Sequence, residues 1–159
     1  MKTIPLSIKL TISILACLIL GGLSGISTTS AITGWYTTLI KPAFNPPNWI
    51  FGPAWTLLYI LMGISFALIW NKGWEKKEVK NALGIFIIQL VLNLIWSVLF
   101  FAMQNPAIAF IDIIILWMLI FLTIKKFFPI NKIAAYLLIP YLLWVSFATL
   151  LNASIWYLN

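Results

Sequence analysis

Five long apolar stretches, separated by short polar segments, constrain the fold of this chain more than any other feature of its sequence. Of its 159 residues, 63% are hydrophobic and 8% are charged, whereas a soluble domain carries about 25% charged residues. A helix needs about 20 mostly apolar residues to cross a bilayer. We therefore predict an all-α, polytopic membrane protein, one domain over residues 1–159 with a five-helix transmembrane bundle. The predicted helices cover residues 4–26, 52–70, 79–103, 106–127 and 133–157.

The first apolar stretch also allows a second interpretation. Lys2 and Lys9 precede an apolar core, as basic residues do in a signal peptide. However, apolar sequence continues on both sides of Cys17, and the stretch is long enough to span a bilayer. We therefore expect a retained transmembrane helix.

The ten basic residues are all lysines, and their distribution predicts the orientation. With five spans, one side of the membrane receives Lys2, Lys9, Lys72, Lys76, Lys77, Lys80, Lys125, Lys126 and Lys132. Lys41 alone falls on the other side. Because cytoplasmic loops are enriched in Lys and Arg, we expect the N-terminus in the cytoplasm and the C-terminus outside. Lysines in such short loops are typical of contacts to membrane lipid, and no nucleic-acid partner is expected.

The connection between the first two predicted helices, residues 27–51, is too long for a simple turn. Trp35 and Leu39 are four residues apart, so a short helix ending before Pro42 would turn both inward. Two further prolines stiffen the remainder. Such a loop suits an ordered lid, or an interfacial segment whose aromatic rings lie at headgroup level. Composition favours neither interpretation.

Polar side chains at membrane depth need partners, so each is informative. Gln89, Asn93 and Ser97 are spaced four apart in the third predicted helix and form one stripe facing the bundle interior. For Gln89 we expect a hydrogen bond between helices. Asn93, beside Trp96, is the better candidate for a ligand contact.

The second and fifth predicted helices add candidates near the long loop. Trp55 lies at the loop end of an aromatic face, where its indole N–H is available to a ligand. The fifth helix carries Trp144, Ala148 and Leu151 along one face, and Pro140 is expected to kink it. Simple packing remains the alternative interpretation of both faces.

Ordinary catalytic and metal-binding patterns are missing from the sequence. There is no His, and Cys17 is the only cysteine, so neither an internal disulfide nor the usual metal ligands are available. We therefore expect no metal and no cofactor. Asp112 is the only acid well inside a predicted span. It suits a proton relay, a counter-ion or a substrate contact, but an isolated carboxylate favours a hydrogen-bonded structural role.

Two long segments around the first loop, WYTTLIKP (35–42) and PPNWIFGPAWTLLY (46–59), carry a family resemblance. It continues through QLVLNLIW (89–96), FF (100–101), Asp112, PYLLW (140–144), Phe147, residues 151–152 and Trp156. In order and over nearly the whole chain, these segments resemble the translocator protein family (TspO/MBR, peripheral benzodiazepine receptor-like). The resemblance implies a five-helix bundle, often a homodimer, whose first loop caps a pocket.

The resemblance also implies ligands, namely porphyrins such as protoporphyrin IX, sterols and benzodiazepine-type molecules. It implies polar contacts from Trp55 and Asn93. The full set of expected ligand-binding residues is Trp35, Tyr36, Trp49, Trp55, Asn93, Trp96, Trp144, Phe147, Ala148 and Leu151. Tyr157 is followed by Leu158 and Asn159, so the basic residue of the animal sterol-recognition pattern is missing. This departure favours a bacterial-type member in the cell membrane.

The expected function is a membrane-embedded binding protein for porphyrins and other small hydrophobic ligands, acting as a sensor, carrier or scavenger. The alternative is a light-dependent enzyme that degrades porphyrin, in which the resemblance implies that Trp144 and Tyr36 donate electrons. A tetrapyrrole or sterol transporter is less expected, because the chain has one isolated intramembrane acid and no visible inverted repeat.

Overall fold

The computed structural model describes residues 4–159, apart from the side chain of Ser27. It contains seven α-helices and no strand within that range. They are α1 (Leu6–Thr33), α2 (Trp35–Thr38), α3 (Phe51–Trp70), α4 (Lys77–Ser97), α5 (Pro106–Phe127), α6 (Lys132–Leu137) and α7 (Ile139–Leu158). A 3₁₀ turn (Asn48–Ile50) precedes α3, and a π-helical turn (Val98–Ala102) follows α4. Lys2, one of the lysines used to predict the orientation, lies outside the described residues.

Five helical segments are long and apolar enough to cross a membrane, as predicted. They are Leu6–Thr33, Asn48–Trp70, Lys77–Ala102, Pro106–Phe127 and Lys132–Leu158. The last one is broken at Leu138, and Pro140 lies in the first turn of α7, where its missing N–H costs no helical hydrogen bond. The predicted fold class, an all-α five-helix membrane bundle, is confirmed.

The first helix is longer than the sequence predicted, because it continues past Ile26 to Thr33. The additional turns are rich in Ser and Thr, whose hydroxyl groups donate back to helix carbonyl oxygens. Thr28 Oγ1 lies 3.2 Å from the Ser24 oxygen, and Thr29 Oγ1 lies 2.8 Å from the Gly25 oxygen. A polar helix can therefore satisfy its hydroxyls internally in an apolar medium. The helix ends at Gly34, so the loop begins later than residue 27.

Two glycines let α1 and α3 pack closely. A Cβ atom at Gly63 would lie 2.6 Å from the Ile14 Cα of α1, and one at Gly21 would overlap the ring of Tyr59. Small residues at such crossings allow the backbones to approach. The two contacts join the middle of α1 to the middle of α3.

Buried polar contacts tie the other helices together. Tyr141 Oη donates to Gln89 Oε1 at 2.8 Å, which is the interhelical bond expected of Gln89. Lys9 Nζ donates to Asn71 Oδ1 at 3.0 Å, just beyond the C-terminus of α3, where the helix dipole favours a cation. The Lys9–Asn71 contact places the start of α1 and the end of α3 at one end of the bundle, opposite the long loop.

Candidate functional site

A cavity of about 580 Å³ lies at the loop end of the bundle. This volume is within the range of roughly 300–1,000 Å³ that is typical of small-molecule sites. Residues of α1, α3, the end of α4, the π turn and α7 form its walls, and residues 36, 48 and 49 of the long loop border it. The lining is mainly aromatic and aliphatic.

Most of the predicted ligand-binding residues lie in this wall. They are Tyr36, Trp49, Trp55, Trp96, Trp144, Phe147, Ala148 and Leu151. They come from four separate segments, so the fold brings together residues that are distant in sequence. Trp49 is 73% exposed and therefore borders the cavity from its rim.

Two predicted residues do not line the cavity. Trp35 packs edge-on against Phe100, with ring centroids 5.8 Å apart, and borders a separate shallow groove. Asn93 is 2% exposed, and its Oδ1 accepts a hydrogen bond from Tyr59 Oη at 2.5 Å. Tyr59 takes the place in the wall that was expected of Asn93. The amide oxygen thus bonds to a neighbouring helix, whereas the buried Nδ2 has no hydrogen-bond partner in the described part of the chain.

A second group of wall residues was not predicted from the sequence. Phe100 and Phe101 belong to the π turn, and both rings are buried beside the cavity. A π turn inserts one residue into the helix and is often found at functional sites. Many of the other missed residues are small or hydroxylated and come from α1: Gly21, Gly22, Ser24, Gly25, Thr28, Thr29 and Thr33. Residues 26–33 contain no proline, the residue that most often ends a helix, and this was the sequence signal that α1 continues.

Aromatic rings on α3 and α7 form a fixed wall. Trp144 meets Phe51 edge-to-face, with centroids 6.2 Å apart at 80°, and meets Trp55 at 6.4 Å and 82°. Phe147 lies 5.7 Å from Trp144. The Trp96 and Phe100 rings, which also line the cavity, stack at 5.2 Å. Edge-to-face and stacked contacts are the arrangements that aromatic pairs prefer, so these rings support one another.

The indole N–H groups of the wall differ in their hydrogen bonding. Trp96 Nε1 donates to Asn152 Oδ1 at 3.0 Å, and Asn152 Nδ2 in turn donates to the Pro106 oxygen at 2.8 Å. Within residues 4–159, the indole N–H groups of Trp55 and Trp144 have no hydrogen-bond acceptor. Both groups are therefore available to a ligand that carries an acceptor.

Residues 34–50 form an ordered flap over the cavity. Tyr36 Oη donates to Asn45 Oδ1 at 2.7 Å, and the Phe44 ring lies 6.2 Å from that of Phe147 in the wall. Burial raises the pKa of Tyr36 to about 12, although the bond to Asn45 partly opposes the increase. The phenol therefore stays neutral and keeps its proton for this bond. Of the two interpretations of the loop, the flap geometry favours the lid.

The outer edge of the flap is attached to the end of α7 by one side chain. The Ile40 N–H donates to Asn159 Oδ1 at 2.9 Å, and Asn159 Nδ2 donates to the Ile40 oxygen at 3.0 Å. The Asn159 amide thus bonds to both the N–H and the C=O of Ile40, as the backbone of a neighbouring β-strand would. This latch, Asn159 on Ile40, joins the flap to the helix that carries Trp144.

Asp112 lies away from the cavity wall. It is 8% exposed, and its Oδ2 has no hydrogen-bond partner in the described part of the chain. The expected hydrogen-bonded role is therefore not visible for that oxygen. In residues 4–159, His, Cys, Asp and Glu side chains form no group that could hold a metal ion.

Known proteins share both the pattern and the length of this chain. The model of the TspO/MBR family matches residues 13–158. The tryptophan-rich protein TspO of Chlorobaculum tepidum is 45% identical over 152 residues, covering 96% of each chain. The protein of the same description from Archaeoglobus fulgidus is 46% identical over 153 residues, covering 96% of this chain and 97% of its own. A tryptophan-rich sensory protein of Cereibacter sphaeroides is 35% identical over 125 residues, covering 79% and 77%.

These matches extend over the helices that form the cavity as well as the flap. Together with the five apolar helices, they identify an integral, multi-pass membrane protein. The order of segments predicted from the sequence, from the flap motif to the fifth span, lies inside the matched region. The chain belongs to the TspO/MBR family.

Proposed function

We propose that this protein binds porphyrins, of the protoporphyrin IX type, and other flat hydrophobic molecules within the membrane. It would act as a sensor, carrier or scavenger of such ligands. The observation that carries the proposal is the aromatic cavity beneath an ordered flap, in which the indole N–H groups of Trp55 and Trp144 lack a partner among the described residues. The choice of porphyrin as the ligand rests on the family resemblance, and the name of the Cereibacter relative supports a sensory role.

The cavity suits a flat aromatic ligand for three reasons. Its volume accommodates a drug-sized or larger molecule. The rings of Trp55, Trp144 and Trp96 all line the cavity, and aromatic rings provide stacking surfaces for a flat ligand. The free N–H groups of Trp55 and Trp144 would orient the ligand. A ligand acceptor beside either indole satisfies a donor that otherwise lacks a protein partner.

The binding test is saturable quenching of tryptophan fluorescence by protoporphyrin IX in detergent. Trp55→Phe keeps an aromatic ring and removes the N–H, so we expect affinity to fall by roughly 3- to 10-fold, the value of one hydrogen bond. Trp117→Phe is the matched control, since Trp117 donates to Ser146 and lies outside the wall. Unsaturable quenching, or equal effects of the two variants, would reject the site.

A second candidate function is light-dependent porphyrin degradation, favoured by the presence of both Trp144 and Tyr36 in the cavity wall. Electron-rich rings beside a photo-excited macrocycle are suitable electron donors, with dissolved dioxygen as the oxidant. The test is the loss of the porphyrin absorption band in illuminated complex, compared with complex kept in the dark. Normal bleaching in Trp144→Phe, at full ligand occupancy, would remove Trp144 from the mechanism.

We also propose the membrane arrangement that the lysines predict. Lys72, Lys76, Lys77 and Lys80 follow α3 at the end opposite the flap, and Lys41 lies in the flap itself. The positive-inside tendency then puts the flap outside a bacterial cell membrane and the N-terminus in the cytoplasm. Association into a homodimer remains part of the proposal. Labelling of single cysteines by a membrane-impermeant thiol reagent tests the orientation, with Cys17 replaced by Ser in all variants.

A further inference from the structure

Lys41 is isolated from the other charges of the protein. It lies in the flap, whereas the remaining lysines of residues 4–159 occupy the start of α1, the α3–α4 connection and the region from the end of α5 to α6. Glu75 and Glu78 belong to that opposite end, and Asp112 lies within α5. No described acid forms an ion pair with Lys41. The Lys41 ammonium group therefore lacks an Asp or Glu side chain as counter-ion among residues 4–159.

The ammonium group of Lys41 rests on a residue of the cavity wall. Its Nζ lies 4.9 Å from the centroid of the Tyr36 ring, in a cation–π contact, and it donates to the Leu39 oxygen at 3.2 Å. An ammonium group has three donors, so Lys41 keeps spare donors. Although Lys41 is not itself part of the wall, its flexible four-carbon stem lets the ammonium move around the edge of the Tyr36 ring.

The rest of the same segment contacts the wall on either side of Tyr36. Asn45 accepts the Tyr36 hydroxyl, and Phe44 packs on Phe147. Lys41 is thus held at the margin of an apolar cavity that bears no other charged side chain among its lining residues. An apolar cavity with a single cation at its margin is complementary to a molecule with a flat apolar body and a terminal acid group.

We propose that Lys41 provides the counter-ion for a carboxylate carried by the ligand. The site would then select amphipathic aromatic acids over neutral molecules of the same size and shape. This inference rests on the proposed function of the cavity and adds to it the charge of the ligand. The competing partner of the same chemistry is the phosphate of an anionic lipid headgroup, which a lysine near the membrane surface also attracts.

The experiment compares acids with their neutral esters. One pair is protoporphyrin IX and its dimethyl ester, and the other is 1-pyrenebutyric acid and its methyl ester. Affinities are measured for the wild type, Lys41→Met and Lys41→Arg. Lys132→Met is the matched control, since Lys132 makes a similar cation–π contact, 5.5 Å from the Phe128 ring, at the opposite end of the bundle. Each titration is repeated in vesicles with and without anionic lipid, and at low and high salt.

We expect the wild type to prefer each acid to its ester by about tenfold, as for one charge-assisted hydrogen bond. Lys41→Met weakens binding of the acid alone and abolishes the preference, whereas Lys41→Arg and Lys132→Met retain it. High salt reduces the preference because the pair lies near solvent. We expect the preference for the acid to persist in vesicles that contain anionic lipid.

Three results would overturn the inference. One is an acid preference that survives in Lys41→Met. Another is equal weakening of acid and ester in that variant, which assigns Lys41 to flap packing alone. The third is loss of the wild-type preference whenever anionic lipid is present, which assigns the ammonium to a headgroup. If neither porphyrin binds while the pyrene pair shows the preference, the porphyrin function fails and the role of Lys41 stands.

Discussion

The latch between Asn159 and Ile40 gives the most specific prediction about the flap. Replacing Asn159 by Ala removes both hydrogen bonds, 2.9 and 3.0 Å long, that join the outer edge of the flap to α7. The inner attachments, from Tyr36 to Asn45 and from Phe44 to Phe147, remain in place. We therefore expect a flap that opens more often in a protein that stays folded.

The size of the effect follows from the environment of the two bonds. A neutral hydrogen bond contributes about 0.5–1.5 kcal/mol net, and the lower value applies here because both bonds are exposed to solvent. Their loss amounts to about 1 kcal/mol, which is roughly a fivefold increase in the open population. A larger change would mean that the latch also stabilises the inner contacts.

Two assays measure this change. Amide hydrogen exchange of a peptide that covers residues 35–45 is expected to accelerate about fivefold in Asn159→Ala. This holds when the flap closes faster than an exposed amide exchanges, because the exchange rate then follows the open population. Dissociation of a bound porphyrin is expected to accelerate by a similar factor. Tyr157→Ala is the control, because Tyr157 is 89% exposed. Unchanged exchange and unchanged dissociation in Asn159→Ala would refute the view that this side chain holds the flap.

Three further predictions concern packing and protonation. Gly21→Ala is expected to lower the free energy of unfolding by about 1–3 kcal/mol, because a Cβ there overlaps the Tyr59 ring. Gly22→Ala, whose Cβ meets nothing, is expected to raise it by up to about 1 kcal/mol through helix propensity, and thermal unfolding in detergent compares the two. Tyr59→Phe leaves the buried Asn93 amide oxygen unpaired and is expected to cost about 1–3 kcal/mol, and adding Asn93→Leu should recover part of it in a double-mutant cycle. Since the pKa of Tyr36 is raised from 10.0 to about 12, its stabilising contribution is complete below pH 10 and declines towards pH 12; Tyr36→Phe should lack that part of the decline in a pH series of unfolding temperatures.

The number of spans could be predicted because it depends on length and polarity alone. Apart from the end of the first, each apolar run is bounded by lysines, prolines or asparagine. Within hydrocarbon, such a run satisfies its backbone hydrogen bonds by forming a helix. The end of α1 could not be predicted in the same way. Thr28 and Thr29 look like loop residues in sequence, but their hydroxyl groups bond to carbonyl oxygens of the preceding turn. A hydropathy value counts these threonines as polar and does not include the hydrogen bonds that satisfy their hydroxyl groups within the helix.

The candidate site was only partly predictable for a related reason. Trp55 and Trp144 could be assigned to an inward face from helical spacing, and the cavity lies between those faces. The direction of the Asn93 amide could not be assigned, since it depends on whether a hydroxyl from another helix reaches it, and Tyr59 does. The π turn that places Phe100 and Phe101 beside the cavity has no signal in residue spacing.

A structure of the protein with protoporphyrin IX bound shows whether a flat aromatic molecule occupies the cavity beneath the flap. We expect the macrocycle between the rings of Trp55 and Trp144 and that of Trp96, with Tyr36 and Asn45 still closed over it. A macrocycle bound on the lipid-facing surface, with the cavity between α1, α3 and α7 empty or collapsed, would contradict it.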